Sequence, residues 1–188
     1  MAGLCQPHDL QNHLNGSGQS VGFSIVTGWL EKAEAILLGC TTYEMMYPYW
    51  SQVTDPDNLI GAKLNGLPKY LASTTLTDPK WQPSEVLNGD VIQQVVRLKE
   101  RPGGELQVHG SCALAQALHT AGLVDEYRLL VFPVVVGAGK RLFTDETPAT
   151  GFALVESRVT GAGATYSALV PTDFRTGGFA VVDGKEVG

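Results

Sequence analysis

The chain reads as an α/β protein with a mostly parallel sheet and an antiparallel end, and three observations predict this. Short apolar runs alternate with helix-period segments from Ala35 to Phe132, the pattern of strand–helix–strand units. Glycine turns follow the runs, at Gly39, Gly110 and Gly137–Gly139. Two strand-like runs then meet through Gly161-Ala162-Gly163, which predicts a closing hairpin.

The first twenty residues are polar and glycine-rich, and Pro7, Asn12, Asn15, Gly16, Ser17 and Gly18 all oppose regular structure. Phe23 to Ala33 reads as a helix with Ile25, Val26, Trp29 and Leu30 on its apolar side, against the preference of Gly28. Ala35 to Leu38 is a buried strand that Gly39 ends. Thr41 to Trp50 suits a helix capped by Thr41 or Thr42 and closed by Pro48. Pro56 to Leu64 is a short helix or turn, and Lys69 to Ser73 a strand. Thr77 to Pro83 is loop, and Glu85 to Leu87 a short strand. Asp90 caps a helix over Val91 to Glu100, where Val91, Ile92, Val95, Val96 and Leu98 recur at helical spacing. Glu105 to His109 is a strand broken by Gly110-Ser111. Ser111 caps a helix from Cys112 to Ala121, and Gly122 stops it. Glu126 to Phe132 is the next strand and Pro133 to Lys140 a glycine loop. Phe152 to Val159 and Ala164 to Val170 form the hairpin, and Phe179 to Val182 one more strand.

With 188 residues, 44% of them apolar, the chain can bury the core of one ordinary domain. A net charge of −6 argues against nucleic-acid partners, which need a basic face, but leaves room for a small anionic ligand. Cys5, Cys40 and Cys112 are far apart and odd in number, which fits reduced thiols in the cytoplasm. The N-terminus lacks a basic stretch leading into an apolar one, so no signal peptide is expected. No apolar run approaches a membrane span, so no membrane partner is expected either.

A strand that ends in glycine and opens a capped helix gathers free backbone N–H groups at one spot, and that spot suits a phosphate. Glu105–Ala121 has this form, and the Pro133–Lys140 loop follows the neighbouring strand. Two such loops together predict the rim of a nucleotide site.

Leu37-Leu38-Gly39-Cys40-Thr41-Thr42-Tyr43-Glu44, Lys69-Tyr70-Leu71-Ala72-Ser73-Thr74-Thr75-Leu76 with Trp81, His109-Gly110-Ser111 with Leu114, Gly122-Leu123-Val124-Asp125-Glu126, and Pro133 to Phe143 occur in that order. In order and spacing the chain resembles the dihydrofolate-reductase-like family that includes the C-terminal reductase domain of the bifunctional riboflavin-biosynthesis deaminase/reductase. The resemblance runs from about Ala35 to about Val170. It implies a dihydrofolate-reductase-like three-layer sandwich, NADPH as cofactor, hydride transfer to a small planar heterocycle or related carbonyl or imine, and a homodimer. By position, Gly39, Thr41 and Thr42 would lie near the cofactor phosphates, Ser73 and Thr74 near the adenosine ribose and its 2′-phosphate, and Gly110, Ser111 and Cys112 around the pyrophosphate. Pro133, Val134, Gly137 and Gly139 would border the nicotinamide and the substrate. Trp29, Tyr43, Tyr47 and Trp50 would line the substrate side. On this reading residues 1–188 are a single domain, with a divergent segment over 1–20 and an extra tail over 172–188.

Two departures stand out. The family usually has Arg after Leu-Leu-Gly, where this chain has Cys40; losing that charged fork should weaken NADPH binding or its preference over NADH. The family usually opens with a strand leading into Ser-Leu-Asp-Gly, and the nearest match here is His13-Leu14-Asn15-Gly16. Asn15, in the substrate-side position, cannot relay a proton as a carboxylate does. The tail strand, Phe179 to Val182, is expected to fill part of the space left by that first strand or to pair with a partner chain.

Several residues carry two readings. His109 has either a cofactor or proton role, or is a strand-end residue bonded to backbone. Cys40 is a reactive thiol at a helix start or a small substitute, and Cys112 a space-filler. Cys5, His8 and His13 lack a fourth ligand, so no metal is expected. Tyr43, Tyr47, Tyr49 and Trp50 line a planar cleft or pack the core or a dimer. Asp125 and Glu126 sit at a helix-to-strand junction, and Lys140-Arg141 reach a ligand anion or solvent. The chain is therefore read as an NAD(P)H-dependent reductase. The alternative is a small-molecule-binding or repurposed non-redox protein on the same fold.

Overall fold

The computed structural model describes residues 17–161, 163–177, 180–182 and 185–187. Helix α1 (Ser17–Lys32) leads into β1 (Ala33–Gly39), then α2 (Cys40–Trp50), α3 (Leu59–Gly66), β2 (Lys69–Ala72), β3 (Ser84–Leu87), α4 (Val91–Lys99), β4 (Glu105–Val108) and α5 (Cys112–Thr120). The antiparallel strands β5 (Tyr127–Val131), β6 (Gly151–Val159) and β7 (Thr165–Thr172) follow, then β8 (Ala180–Val182) and β9 (Lys185–Val187).

Strands β1 to β4 form a parallel sheet in the order β3-β2-β1-β4. Strand β1 is central, and the period-two alternation of its side chains feeds both faces. Ile36 and Leu38 face Leu30 of α1, Tyr43 of α2, Ile60 and Leu64 of α3, and Leu71 and Trp81. Leu37 faces Val95 of α4 and Leu114 and Leu118 of α5. Helices thus cover both faces, which gives three layers.

The helix signals act mostly as expected. Asp90 accepts from the Gln93 N–H at 3.1 Å, so it caps α4. Asp90→Ala is expected to cost about 1 kcal/mol, read as a lower urea midpoint at unchanged slope. Asn58 caps α3 in the same way, accepting from Gly61 N. One bound is corrected: helix α1 runs six residues further toward the N-terminus than its apolar stripe suggested. Helix α2 ends at Trp50 as expected, with Pro48 inside it. Pro48 lies in the last turn, where few carbonyls are left to lose a partner. The buried Lys69 is an exception to apolar packing. Its ammonium donates to the carbonyls of Asn65 (3.3 Å) and Leu67 (2.9 Å) at the end of α3 and lies 4.7 Å from the Trp81 ring centre. Burial pulls its pKa down to about 8.

Strands β5, β7 and β6 make a separate antiparallel sheet in that order. The hairpin ends where Gly151 is needed, because a Cβ there would come within 2.5 Å of the Asp173 carbonyl. Among the described residues no ladder joins β4 to β5. Their connection is made by side chains: Arg128 of β5 forks onto both oxygens of Glu105 of β4, at 2.7 and 2.6 Å. Helix α1 spans the two sheets, with Leu30 and Val26 on the parallel one and Ile25 and Trp29 against Tyr166, Ala168 and Leu130 of the antiparallel one.

The tail strand forms at Ala180–Val182, with Phe179 outside the described residues. It does not extend either sheet. It pairs with Lys185–Val187, an unforeseen strand, in a two-stranded sheet of its own. A short-range hairpin needs little loop closure, whereas insertion into a distant sheet needs a long crossover.

Candidate functional site

The parallel topology brings the ends of β1, β2 and β4 side by side at one edge of the sheet. The two central turns interlock. The Gly39 N–H donates to the Ser111 hydroxyl at 2.8 Å, and the Ser111 N–H donates to the Thr42 hydroxyl at 3.0 Å. Gly110 has φ +63°, and a Cβ there would sit 3.4 Å from the Thr42 methyl. Ser111 is itself left-handed, at φ 56° and ψ 55°. A non-glycine residue in that conformation costs free energy and needs fixing by its surroundings.

These bonds change the meaning of two expected caps. Ser111 occupies the N-cap position of α5, but its hydroxyl turns to Gly39 and makes no cap bond. The Thr42 hydroxyl is likewise engaged by Ser111. Helices α2 and α5 therefore open with no side-chain cap and no acid in the first turn. Helix starts without a side-chain cap leave leading N–H groups that a phosphate can take.

The other cofactor-side residues lie around this point. Thr41 is exposed on the first turn of α2. Ser73 follows β2, buried, and its hydroxyl accepts from the N–H groups of Thr75 (3.2 Å) and Leu76 (2.9 Å); Thr74 stays exposed on the same turn. Cys40 donates its thiol to Glu44 and lies 3.9 Å from the Thr75 hydroxyl, linking the β1 and β2 turns. Cys112 is buried. It donates to the Arg141 carbonyl at 2.8 Å, burial pushes its thiol pKa up, and the same carbonyl accepts from Gln116 at 2.7 Å. The exposed glycine loop, with Gly137 at φ +79°, is thereby stapled to the start of α5, and Lys140 is close enough for its charge to act on Cys112.

The substrate-side expectations fare differently. Tyr43 is only 3% exposed, stacks on Tyr47 at 5.7 Å and accepts from the Trp81 N–H, so it is a core residue with no face left for a ligand. Tyr47 and Trp50 pack against the same cluster, which makes this aromatic group mostly core packing. Trp29 tilts onto Tyr166 at 5.8 Å and packs with the antiparallel sheet. Pro133 lies against the hairpin turn, 3.7 Å from the position of a Cβ on Gly163, and Val134 is exposed beside it. Asn15 and the Cys5, His8, His13 group lie outside the described residues. Among the described residues no three His, Cys, Asp or Glu side chains gather where a metal could sit.

A polar chain running along β4 and just past its end was not foreseen. Glu105 and Gln107 of β4, and His109 just past its end, alternate with the apolar Leu106 and Val108. Gln107 donates to the Trp29 carbonyl at 2.7 Å and to Glu105 at 2.6 Å, and its oxygen lies 3.1 Å from His109 Nε2. The expected backbone partner of His109 is thus a side chain. Burial, and then the Arg128 charge, lower the His109 pKa to about 4. Arg128 in turn holds Glu105 below the usual carboxylate range. The signal was legible as an Glu-x-Gln-x-His stripe inside an apolar run.

Residues 19–166 match the RibD C-terminal domain family. The chain belongs to that family. RibD C-terminal domains are reductase-like, and the α/β architecture described above is their dihydrofolate-reductase-like fold. The chain is 30% identical over 139 residues to the uncharacterized protein YyaP of Bacillus subtilis, covering 73% of each. Among solved structures it is similar to a putative riboflavin biosynthesis protein from Shewanella sp. PV-4, with TM-score 0.63 and 19% identity over 84% of this chain and 81% of that one. It is also similar to a pyrimidine reductase-like protein from Corynebacterium diphtheriae, with TM-score 0.54 and 13% identity over 86% and 83% of the two chains. RibD from Acinetobacter baumannii gives TM-score 0.52 at 16% identity, over 81% of this chain and 51% of that one. At these identities the structural likenesses speak for the RibD C-terminal fold alone. No helix among the described residues is long and apolar enough to cross a membrane.

Proposed function

We propose that the chain is a cytoplasmic NADPH-dependent reductase acting on a small planar heterocycle. The observation that carries this reading is the interlocked pair of turns, Gly39–Thr42 and Gly110–Cys112, with two uncapped helix starts. When bound, NADPH would supply a hydride; the chain's own part is to hold, orient and exclude water. The N–H groups at the starts of α2 and α5 would take the phosphates, with Thr41 and the nearby Lys140 adding contacts. Thr74 would border the ribose side. Gly137, Gly139, Pro133 and Val134 would close over the nicotinamide. Thr42, Ser73 and Cys112 would act by fixing the turns, since their polar atoms are already engaged.

NADPH fluorescence titration tests this reading. Micromolar to sub-millimolar binding is expected, and Ser111→Ala is expected to weaken it about tenfold by releasing the Gly39 bond. No binding at millimolar NADPH would leave the second reading, a small-molecule-binding protein without redox chemistry. The placement of Tyr43 in the core and Cys40 at the phosphate end favours that alternative.

Homodimer formation is part of the same proposal. Strand β6 exposes Leu154 and Val155 at 62% each and Val159 at 74%, an apolar edge that a second copy would cover. Sedimentation velocity is expected to show a dimer for the native chain and a monomer for Val159→Lys.

A further inference from the structure

We propose that His109 reads the substrate in this cleft, with its Nδ1 held as a hydrogen-bond acceptor for an N–H or O–H of the bound heterocycle. The inference deepens the reductase reading and rests on the same cleft.

The tautomer follows from a directed chain of bonds. Gln107 Nε2 lies 2.7 Å from the Trp29 carbonyl and 2.6 Å from a Glu105 carboxylate oxygen. Both partners only accept, so both amide hydrogens are committed and the amide cannot be turned over. Gln107 Oε1 is then an acceptor, and His109 Nε2, 3.1 Å away, must donate to it. A neutral imidazole carries one N–H, which leaves Nδ1 with a bare lone pair. Arg128 anchors the other end by its fork onto Glu105. The charged groups on the chain are Glu105 on β4 and Arg128 and Glu126 at β5, and the nearest cation opposes protonation of the ring.

The lone pair is also reachable. Among the described residues no sealed side-chain nitrogen or oxygen lacks a partner. Among the described residues Nδ1 bonds to no group, and the His109 side chain is only part-buried, so an outside molecule can touch it. Its residue follows β4 directly and precedes the Gly110–Ser111 turn of the proposed cofactor cradle. A donor-bearing planar ligand held there gains one hydrogen bond, and an N-methylated analogue leaves the lone pair unmet.

Two measurements test this. Nitrogen-15 NMR of the histidine rings at pH 7 is expected to show His109 neutral and protonated on Nε2; an Nδ1–H or cationic ring overturns the assignment. Titrations with phthalimide and N-methylphthalimide are expected to favour the N–H compound by about tenfold, one hydrogen bond's worth. His109→Gln can place its amide nitrogen near Nε2 to donate to Gln107 but leaves no acceptor at the position of Nδ1, so the preference should vanish. His109→Asn can place its carbonyl oxygen where Nδ1 was, so a preference of about threefold should survive. No preference in the native protein, or a preference intact in His109→Gln, overturns the proposal, as does failure of both probes to bind. If His109→Gln does not fold, the NMR assignment and His109→Asn still decide. A native protein that prefers the N–H probe yet ignores NADPH sinks the reductase reading and leaves His109 in its role.

Discussion

Gly110→Val is expected to abolish NADPH binding, by a hundredfold or more, and to destabilise the fold by about 2–4 kcal/mol. Gly110 sits at φ +63°, where a β-branched residue is strained by roughly 1–3 kcal/mol. A Cβ would already stand 3.4 Å from the Thr42 methyl, and the two further methyls of valine must displace it. The turn then moves, and with it the bonds from Ser111 N to Thr42 and from Gly39 N to Ser111. Both uncapped helix starts lose their mutual alignment. Gly122→Val is the control. Gly122 has a similar φ of +67° but nothing within 4 Å of a built Cβ, so it isolates the backbone strain. It should cost only the strain and leave cofactor binding within twofold. Urea midpoints and NADPH titrations on the two variants separate the effects, and equal cofactor losses in both would refute the interlocked-turn account.

Those turns illustrate what local pattern can and cannot carry. Gly39, Gly110 and Ser111 were legible because glycine before a helix start has a backbone meaning independent of context. The direction of the Ser111 hydroxyl was not, because its partner, Gly39, is 72 residues away and reaches it only through the parallel pairing of β1 with β4. The same limit explains Tyr43. An aromatic run of Tyr43, Tyr47, Tyr49 and Trp50 looks alike whether it lines a cleft or fills a core. Only the packing of α2 against Trp81, Leu64 and Leu71 buries Tyr43 and leaves Tyr49 at 55% exposure. The separation into two sheets was equally hidden. Each strand from Glu105 to Val170 was readable from its own residues, but pairing is a property of two strands at once. Arg128 and Glu105, 23 residues apart, join the edges of the two sheets by side chains.

The same wall predicts a two-step loss of stability in acid. His109 titrates near 4 in the folded protein and near 6.5 when unfolded. As pH falls from 6.5 toward 4 the unfolded state takes up a proton that the folded state refuses, so stability falls through that window, by about 3 kcal/mol when complete. Glu105 acts lower. Its folded pKa lies below the usual 4.5, with the Arg128 bonds the largest cause, so its contribution is present above 4.5 and is lost as pH falls through the folded value. Partial exposure of Glu105 makes this second step the smaller one. His109→Gln is expected to flatten the first step, making the variant more stable than the native protein at pH 4.5 while close to it at pH 7.5. Glu105→Gln should remove the second step and deepen the first, because Arg128 then faces the imidazole with Glu126 as its one remaining partner among the described residues. Urea midpoints for the three proteins across pH 3.5 to 7.5 check this. A native profile that is flat between pH 6.5 and 4.5 would mean that His109 protonates freely in the fold, and the directed chain from Arg128 to the imidazole would have to be abandoned.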